Sequence, residues 1–203
     1  LQLLVDRGLA ENIELLYISN GTLLDEQIFP LWKEFRAVDL TFSIDGTGSV
    51  YQYVRGGRLS LEADVLPILK NIQDQDLPNI EINIHYTISV YNLFDIPRFL
   101  QWLQASGIKS QFSFGLVDTP DYLSIRILPK HLIEPVIEDL KPFAQYRKVH
   151  DLIDALKNLS PAQGVDLLRS EFVAYTKALD ELRKESLAEA VPELGPFVDS
   201  VAL

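Results

Sequence analysis

Short polar side chains follow three apolar runs of strand length, at the point where each run ends. These side chains and their glycines are Ser19, Asn20 and Gly21, then Ser43, Asp45 and Gly46, then Ser89, Tyr91 and Asn92, and the segment after Phe114 ends a fourth run. Hydroxyl, amide and carboxylate groups are the types that hydrogen-bond a polar small molecule. Because ligands of parallel α/β folds bind at the carboxyl ends of the strands, these groups are candidate ligand contacts.

Turn formation is the alternative explanation of the same residues. Asn20-Gly21 and Asp45-Gly46 are dipeptides that close turns and cap helices without binding a ligand. At a single strand end, a turn is the commoner outcome. The recurrence of polar groups at successive ends is what favours a ligand site, and from the residues alone both interpretations stay open.

Two basic residues follow the second run on a segment with two glycines, Arg55-Gly56-Gly57-Arg58. The glycines predict a flexible segment, on which a pair of arginines usually faces solvent. Because this segment leaves the predicted ligand site, the pair could instead clamp a carboxylate.

The three histidines do not form a metal site in the sequence. His85 lies inside the third apolar run, where a hydrogen-bonded core histidine is the commoner explanation, and His131 and His150 stand alone on helical segments. The chain has no cysteine, so no set of residues has a known metal-ligand spacing. Disulfides, thiolate catalysis and cysteine-held iron–sulfur clusters are likewise excluded from these residues. We expect no metal site in this chain.

The charge of the chain argues against two classes of partner. Its 203 residues carry 29 acidic and 18 basic side chains, a formal net charge of −11. Such a surface repels phosphate backbones and anionic membranes, so we expect neither nucleic-acid nor membrane binding. No apolar run has the length of a transmembrane helix and no signal peptide opens the sequence, which predicts a cytoplasmic protein. The first residues form an uncapped apolar half-helix and methionine is absent, so we also expect a fragment.

Apolar runs alternate with amphipathic segments in the first 128 residues. Strands are predicted over 13–18, 38–44, 80–90 and 111–116, with helices over 24–35, over 61–72 and from Pro97 to a C-cap at Gly107. Connections of this length require parallel pairing and predict an α/β sheet with crossover helices. From Pro129 the pattern is helical only, over 129–146, 149–159 and 161–190, the last with Ser160-Pro161 as N-cap and first residue. The chain is therefore predicted to divide into residues 1–128 and a helical region, 129–203.

Several of these segments together resemble one enzyme superfamily. They are Ser19-Asn20-Gly21-Thr22, Ser43-Ile44-Asp45-Gly46, Tyr51 to Arg55, Thr87-Ile88-Ser89-Val90-Tyr91-Asn92, Asp121-Tyr122-Leu123-Ser124-Ile125-Arg126, Ala178-Leu179-Asp180 with Arg183, and Pro192-Glu193-Leu194. In this order they resemble the radical S-adenosylmethionine (radical SAM) superfamily, and most closely its twitch-domain-containing members. The resemblance covers most of the chain.

The resemblance implies a partial parallel (β/α) barrel of the aldolase-type, TIM barrel-like kind. It also implies a parent enzyme whose cysteine-held [4Fe–4S] cluster binds S-adenosylmethionine (SAM) and cleaves it to a 5′-deoxyadenosyl radical, which abstracts hydrogen from a substrate. Ser43 matches the position that meets the ribose or methionine portion of SAM, and Arg55 matches the arginine that pairs with the methionyl carboxylate. Asp45 and Asn92 match positions that line the same cavity, and Asn20 is a further SAM-binding candidate.

The sequence departs from that family where the cluster would be bound. Cysteines and a Gly-Gly-Glu segment are absent, and the helical region lacks the cysteines of an auxiliary cluster. We therefore expect the cluster chemistry in the parent protein, acting on an unknown small-molecule or peptide substrate, and an inactive chain by itself. The alternative is a cluster-less barrel remnant that binds a small molecule, or binds a protein through its acidic helical tail. A third interpretation, an unrelated nucleotide-binding α/β domain, has only the generic turn motifs in its support.

Overall fold

The computed structural model, which describes residues 1–201, is built around one parallel β-sheet. Its strands are β1 (Glu14–Ser19), β2 (Ala37–Ser43), β3 (Ile80–Ile88) and β4 (Gln111–Leu116), hydrogen-bonded in the order β1-β2-β3-β4. The predicted α/β class and parallel pairing are confirmed, and each strand lies within two residues of its predicted bounds. Apolar residues recur at every second position along β2 and β3, as expected for strands with one covered face, which is why the sequence locates them.

Helices connect the strands and form the C-terminal region. They are α1 (Gln2–Asp6), α2 (Phe29–Trp32), α3 (Gly48–Arg55), α4 (Leu66–Asp74), α5 (Ile96–Ser106), α6 (Lys130–Leu140), α7 (Arg147–Lys157), α8 (Val165–Arg183), α9 (Leu187–Ala190) and α10 (Gly195–Ser200). A π-helical turn, Leu61–Val65, runs into α4. The predicted C-cap of α5 is confirmed, since Gly107 has the left-handed conformation with φ 73°.

The prediction that Arg55 lies on a flexible segment is wrong, because Arg55 is the last residue of α3 and Gly56 caps this helix in the left-handed conformation. This helix begins with Gly48 and Ser49, both poor helix formers. Burial of Val50 and Tyr53 against the core stabilises it, so tertiary packing overrides the local preference. Arg55 therefore has a fixed position beside the strand ends.

The two faces of the sheet differ in composition and in cover. One face is apolar, and the connecting helices pack on it. The Trp32 ring of α2 lies 5.7 Å from the Tyr17 ring of β1, and the Phe99 ring of α5 lies 4.8 Å from the Tyr86 ring of β3, measured between ring centroids. Side chains therefore alternate along β2 and β3 between buried positions on this face and half-buried positions on the other.

The opposite face is mainly polar and is not fully covered. It carries Asp39, Thr41 and Ser43 from β2, Asn83, His85 and Thr87 from β3, and Ser113 and Gly115 from β4, all of them half-buried. On the edge strand β1 the same face carries Leu16 and Ile18, which are 69% and 74% exposed. Parallel sheets normally have both faces covered, so this open face is the unusual feature of the fold.

The helical region packs against the sheet part through a continuous core. Helix α8 buries Phe172, Val173 and Thr176. The ring of Phe172 lies 5.4 Å from that of Tyr91, which follows β3. Within residues 1–201, no helix combines the length and the apolar character needed to cross a bilayer.

The predicted start of the last long helix is wrong. Helix α8 begins at Val165, and the residue before it is Gly164 in the left-handed conformation. The segment that contains Ser160 and Pro161 is held elsewhere, because the Ala162 N–H donates to the carbonyl of Arg126. Ser160 therefore does not cap the helix.

Candidate functional site

A hydrogen-bonded network joins the carboxyl ends of β2 and β3. Asp45 Oδ1 accepts from the Thr87 N–H at 2.7 Å, and Asp45 Oδ2 accepts from Arg55 Nη2 at 2.7 Å. The same Arg55 nitrogen donates to the Ser43 carbonyl at 2.6 Å. The Asp45 and Arg55 side chains are only 13% and 21% exposed, so the ion pair is largely shielded from water. Arg55 thereby ties the end of α3 to the end of β2.

Asn92 completes this network from the loop after β3. Its Nδ2 donates to the carbonyls of Asp45 at 3.0 Å and Thr87 at 2.9 Å. Its Oδ1 accepts from the Ser89 N–H at 2.7 Å and the Ser89 hydroxyl at 3.2 Å. Both amide donors and both acceptor sites are thus in use. The structure brings Asp45, Arg55 and Asn92 together, and their polar groups largely bind one another.

A row of polar side chains crosses the open face just below this network. Ser43, His85 and Ser113 occupy neighbouring positions on β2, β3 and β4. His85 Nδ1 and the Ser113 hydroxyl are 2.9 Å apart, and a Cβ at Gly115 would lie 2.9 Å from His85 Nε2. Glycine at 115 therefore gives the imidazole ring its space. Within residues 1–201 the Ser43 hydroxyl has no hydrogen-bond partner, which leaves it available to a ligand.

Asn20 has a local role at the end of β1. Its Oδ1 accepts from the N–H of Thr22 at 3.2 Å and from the Thr22 hydroxyl at 2.9 Å. This is the side-chain turn that Asn-Gly sequences favour. Asn20 is exposed and does not join the network of Asp45, Arg55 and Asn92.

A cavity of about 230 Å³ opens between the strand ends and α8. It is lined by Asp45, Thr87, Ser89 and Asn92 at the strand ends, by Tyr53 and Val54 of α3, by Tyr91, Val117 and Leu123 of the loops, and by Tyr175, Leu179 and Arg183 of α8. Two of the predicted SAM-binding residues, Asp45 and Asn92, therefore face the cavity. The α8 residues are candidates that a search of strand ends misses, although Arg183 belongs to one of the segments that carry the family resemblance.

Hydrogen bonds fix α8 over the strand ends. The Tyr53 hydroxyl donates to Asp180 Oδ1 at 2.8 Å, and Arg183 Nη1 donates to the Tyr53 carbonyl at 3.0 Å. The hydroxyls of Tyr91 and Thr176 are 2.9 Å apart. Burial raises the pKa of Tyr53, and so does its hydrogen bond to Asp180, so this hydroxyl stays protonated and remains a donor.

A buried carboxylate anchors the loop that carries Asp45. Asp95, just before α5, is 1% exposed and accepts from the N–H of Thr47 at 2.6 Å and from the Thr47 hydroxyl at 3.0 Å. Burial raises the pKa of Asp95 to about 6, against the lowering effect of the Thr47 hydrogen bonds and of Arg98. The Asp95 carboxylate thus positions the loop after β2 and does not reach the cavity lining.

A cavity of about 290 Å³ lies beside Gln52 and Glu189, and two larger cavities, of about 750 Å³ each, lie away from the strand ends. One of the two larger cavities is at the amino ends of the strands, beside Glu14 and Arg36, and the other lies between α6 and α7, beside His131. Ligands of parallel α/β folds bind at the carboxyl ends, so the cavity between the strand ends and α8 is the better candidate.

No group of three or more His, Cys, Asp or Glu side chains in the described part of the chain is placed to hold a metal ion. The histidines are separate: His85 pairs with Ser113, and exposed His150 lies 3.6 Å from Asp154. The candidate site is therefore a polar cavity at strand ends, covered by a helix. No protein-family model, no curated protein and no solved structure matches this chain.

Proposed function

We propose that this chain is part of the barrel of a radical SAM enzyme. The observation that carries the proposal is the order of the strands. They pair in sequence order, and the helices that connect them pack on one face. A doubly wound nucleotide-binding sheet reverses its strand order and has helices on both faces, whereas a (β/α) barrel keeps sequence order with the helices outside. The topology therefore favours a barrel wall over the unrelated nucleotide-binding domain.

The open polar face supports the same proposal. In a barrel this face would be the interior, and further strands beside β1 would cover Leu16 and Ile18. The hydroxyl, amide and imidazole groups on it would then line a polar cavity at the carboxyl ends. Residues 1–128 would supply this wall, and residues 129–203 would cover the strand ends with α8.

The strand-end residues fit a SAM molecule in part. The Ser43 hydroxyl is unpaired within residues 1–201, so a bound carboxylate or hydroxyl could satisfy it, whereas Arg55 Nε is buried without a partner and is closed to a ligand in this structure. Asp45 and Asn92 would shape the cavity through the network they already make. Cluster-bound SAM supplies a carbon radical that abstracts hydrogen. This chain has no cysteine to hold that cluster, so its thiolates would come from outside these 203 residues.

The proposal is tested on protein expressed from the whole gene and purified without oxygen. We expect iron and sulfide in the protein, SAM binding, and release of 5′-deoxyadenosine on reduction. Ser43→Ala should weaken SAM binding about three- to tenfold, the size of one hydrogen bond. Ser200→Ala, the same change in α10 at the far end of the chain, should leave SAM binding unchanged. Whole-gene protein that lacks iron and binds no SAM would contradict the proposal.

A binding module without a cluster is the second candidate. The observation in its favour is the exposure of Leu167 and Leu182 on α8, at 66% and 81%, beside acidic side chains. A protein partner that covers Leu182 would remove this apolar side chain from water, so Leu182 is the residue whose change tests this candidate. Whole-gene protein that has no cluster but retains a specific protein partner, and loses that partner with Leu182→Glu, would favour this candidate.

A further inference from the structure

We propose that the cavity beneath α8 binds a small carboxylate, with Arg183 and Tyr175 as its hydrogen-bond donors. The volume of about 230 Å³ equals that of about eight water molecules, at about 30 Å³ each, which suits a small organic acid. The same cavity is lined by Asp45 and Asn92, two of the residues proposed for SAM, whereas Arg183 and Tyr175 are assigned no SAM contact. The inference goes beyond the proposed function, because carboxylate binding here requires neither a cluster nor SAM.

Arg183 has most of its donors unused. A guanidinium carries five N–H groups, and within residues 1–201 Arg183 makes one hydrogen bond, from Nη1 to the Tyr53 carbonyl. The Glu185 Oε2 atom is 3.9 Å from Nη1, an ion pair without a hydrogen bond, so Glu185 compensates part of the Arg183 charge but uses none of its donors. No atom of Arg183 is among the buried polar atoms that lack a partner, so its remaining donors are open to solvent or to a ligand.

Tyr175 supplies a second free donor on the same helix. Its side chain is 41% exposed, its ring lies 5.2 Å from that of Tyr122, and its hydroxyl has no hydrogen-bond partner within residues 1–201. These two donors, one of them positively charged, are not occupied by a protein acceptor within residues 1–201, so both are available to a ligand in the cavity. A carboxylate matches a guanidinium better than any neutral acceptor does.

The charged and apolar side chains that line the cavity indicate the charge and the apolar character of the ligand. The one carboxylate in the lining, Asp45, is neutralised by Arg55 at 2.7 Å and does not compete for Arg183. Apolar side chains, Val54, Leu123 and Leu179, complete the lining. The site therefore suits a monocarboxylate with an apolar body.

Benzoate is the probe, and benzamide is its neutral counterpart of the same size. Each is titrated into the 203-residue chain while amide NMR shifts are recorded. We expect benzoate to shift the amides of Tyr91, Asn92 and Arg183, and benzamide to bind at least about tenfold more weakly. Tyr175→Phe should weaken benzoate binding about three- to tenfold. Tyr146→Phe, which removes the hydroxyl of a comparably exposed tyrosine outside the cavity, should leave it unchanged.

Arg183→Gln should abolish benzoate binding, and its amide spectrum shows whether the loss of the Tyr53 contact also unfolds the chain. Tyr175→Phe keeps the test decisive in that case, because the hydroxyl it removes makes no hydrogen bond within the fold. The inference is overturned if benzoate causes no shifts at the cavity up to about 50 mM, if benzamide binds equally well, or if Tyr175→Phe leaves the affinity unchanged.

Discussion

Asp95 shows how a single carboxylate can position a ligand loop without touching the ligand. It is buried next to α5 and holds Thr47, two residues after Asp45, by its main chain and its hydroxyl. A buried charge costs free energy even when it is hydrogen-bonded, and here that cost appears as a raised pKa. The stability of the loop is therefore linked to pH.

Asp95→Asn is predicted to remove a pH dependence of stability. The pKa is about 6 in the folded chain against an ordinary value of 3.8, so between these pH values the folded chain binds more protons than the unfolded chain. The free energy of unfolding therefore falls as pH rises from about 4 to about 6, by about 3 kcal/mol at most. Asparagine keeps an acceptor for Thr47 and loses the titration.

The measurement is urea unfolding of wild type and variant at several pH values. The wild type should lose stability relative to Asp95→Asn between pH 4 and pH 7. Asp118→Asn, at an exposed carboxylate, is the control and should show no such trend. If the difference in free energy of unfolding between wild type and Asp95→Asn is constant across this pH range, the titration of Asp95 is not the cause.

Sequence reasoning at the residue scale predicts where Asp45, Arg55 and Asn92 lie but not what they bind. Strand-end position places Asp45 and Asn92 at one edge of the sheet, because parallel strands end there, whereas Arg55 reaches them from the end of α3. Their mutual hydrogen bonds depend on α3, which local propensity does not predict. Arg183 lies about 90 residues farther along the chain than Asn92 in sequence number, and only the packing of α8 brings it to the same cavity.

Helix α8 is attached to the sheet part by hydrogen bonds of two charged side chains, Asp180 and Arg183, and by contacts of neutral groups. The Tyr53 hydroxyl donates to Asp180, whose second oxygen accepts from the N–H of Leu187 at 3.0 Å. A single carboxylate thus joins α3, α8 and α9. Attachment at this point determines whether α8 covers the cavity.

Tyr53→Phe is predicted to destabilise the chain by about 1–3 kcal/mol, since the half-buried Asp180 carboxylate loses a donor. In Tyr53→Phe, hydrogen exchange relative to the wild type should rise more for the amides of α8 than for those of β2 and β3. Tyr17→Phe is the matched control in the sheet, because the Tyr17 hydroxyl has only a 3.5 Å contact with the Trp32 indole. An equal loss of stability in the two variants, or amide exchange that rises uniformly along the chain, would show that the Tyr53–Asp180 hydrogen bond does not hold α8.

At the scale of elements, the sequence predicts the strands well and some helix limits poorly. Apolar runs identify β1 to β4 because burial alone requires them. The first turn of α3 contains Gly48, and α8 begins directly after Gly164. The limits of these helices depend on contacts with distant residues such as Arg126. Those contacts have no local signature in the sequence.

The whole molecule is a sheet with one helix-covered face and one open face. The sequence predicts the parallel α/β arrangement, and the resemblance adds the barrel, which the strand order favours. Leu16 and Ile18 are the residues that distinguish a closed barrel from a free sheet. In the 203-residue chain both side chains are exposed to solvent, whereas closure of a barrel would bury them.

Ile18→Thr is predicted to act differently in the two contexts. In the 203-residue chain the side chain is 74% exposed, so the free energy of unfolding should change by no more than about 0.5 kcal/mol. In whole-gene protein with a closed barrel, the same change should cost about 1–2 kcal/mol, because a buried position gains an unpaired hydroxyl. Thermal and urea unfolding of both proteins provide the comparison, and Ile84→Thr, buried in both, is the control. If Ile18→Thr has an equally small effect on the stability of both proteins, the result would argue against a closed barrel in the whole-gene protein.

The two outer strands give the isolated chain a further property. Strands β1 and β4 each present a row of main-chain N–H and C=O groups on the side that has no neighbouring strand within residues 1–201. Beside β1, these groups lie next to two exposed aliphatic side chains, a combination that templates pairing with a second chain. The net charge of −11 opposes such pairing, and added salt screens that repulsion. The colloidal behaviour of the 203-residue chain is therefore governed by ionic strength, with low salt keeping the molecules apart.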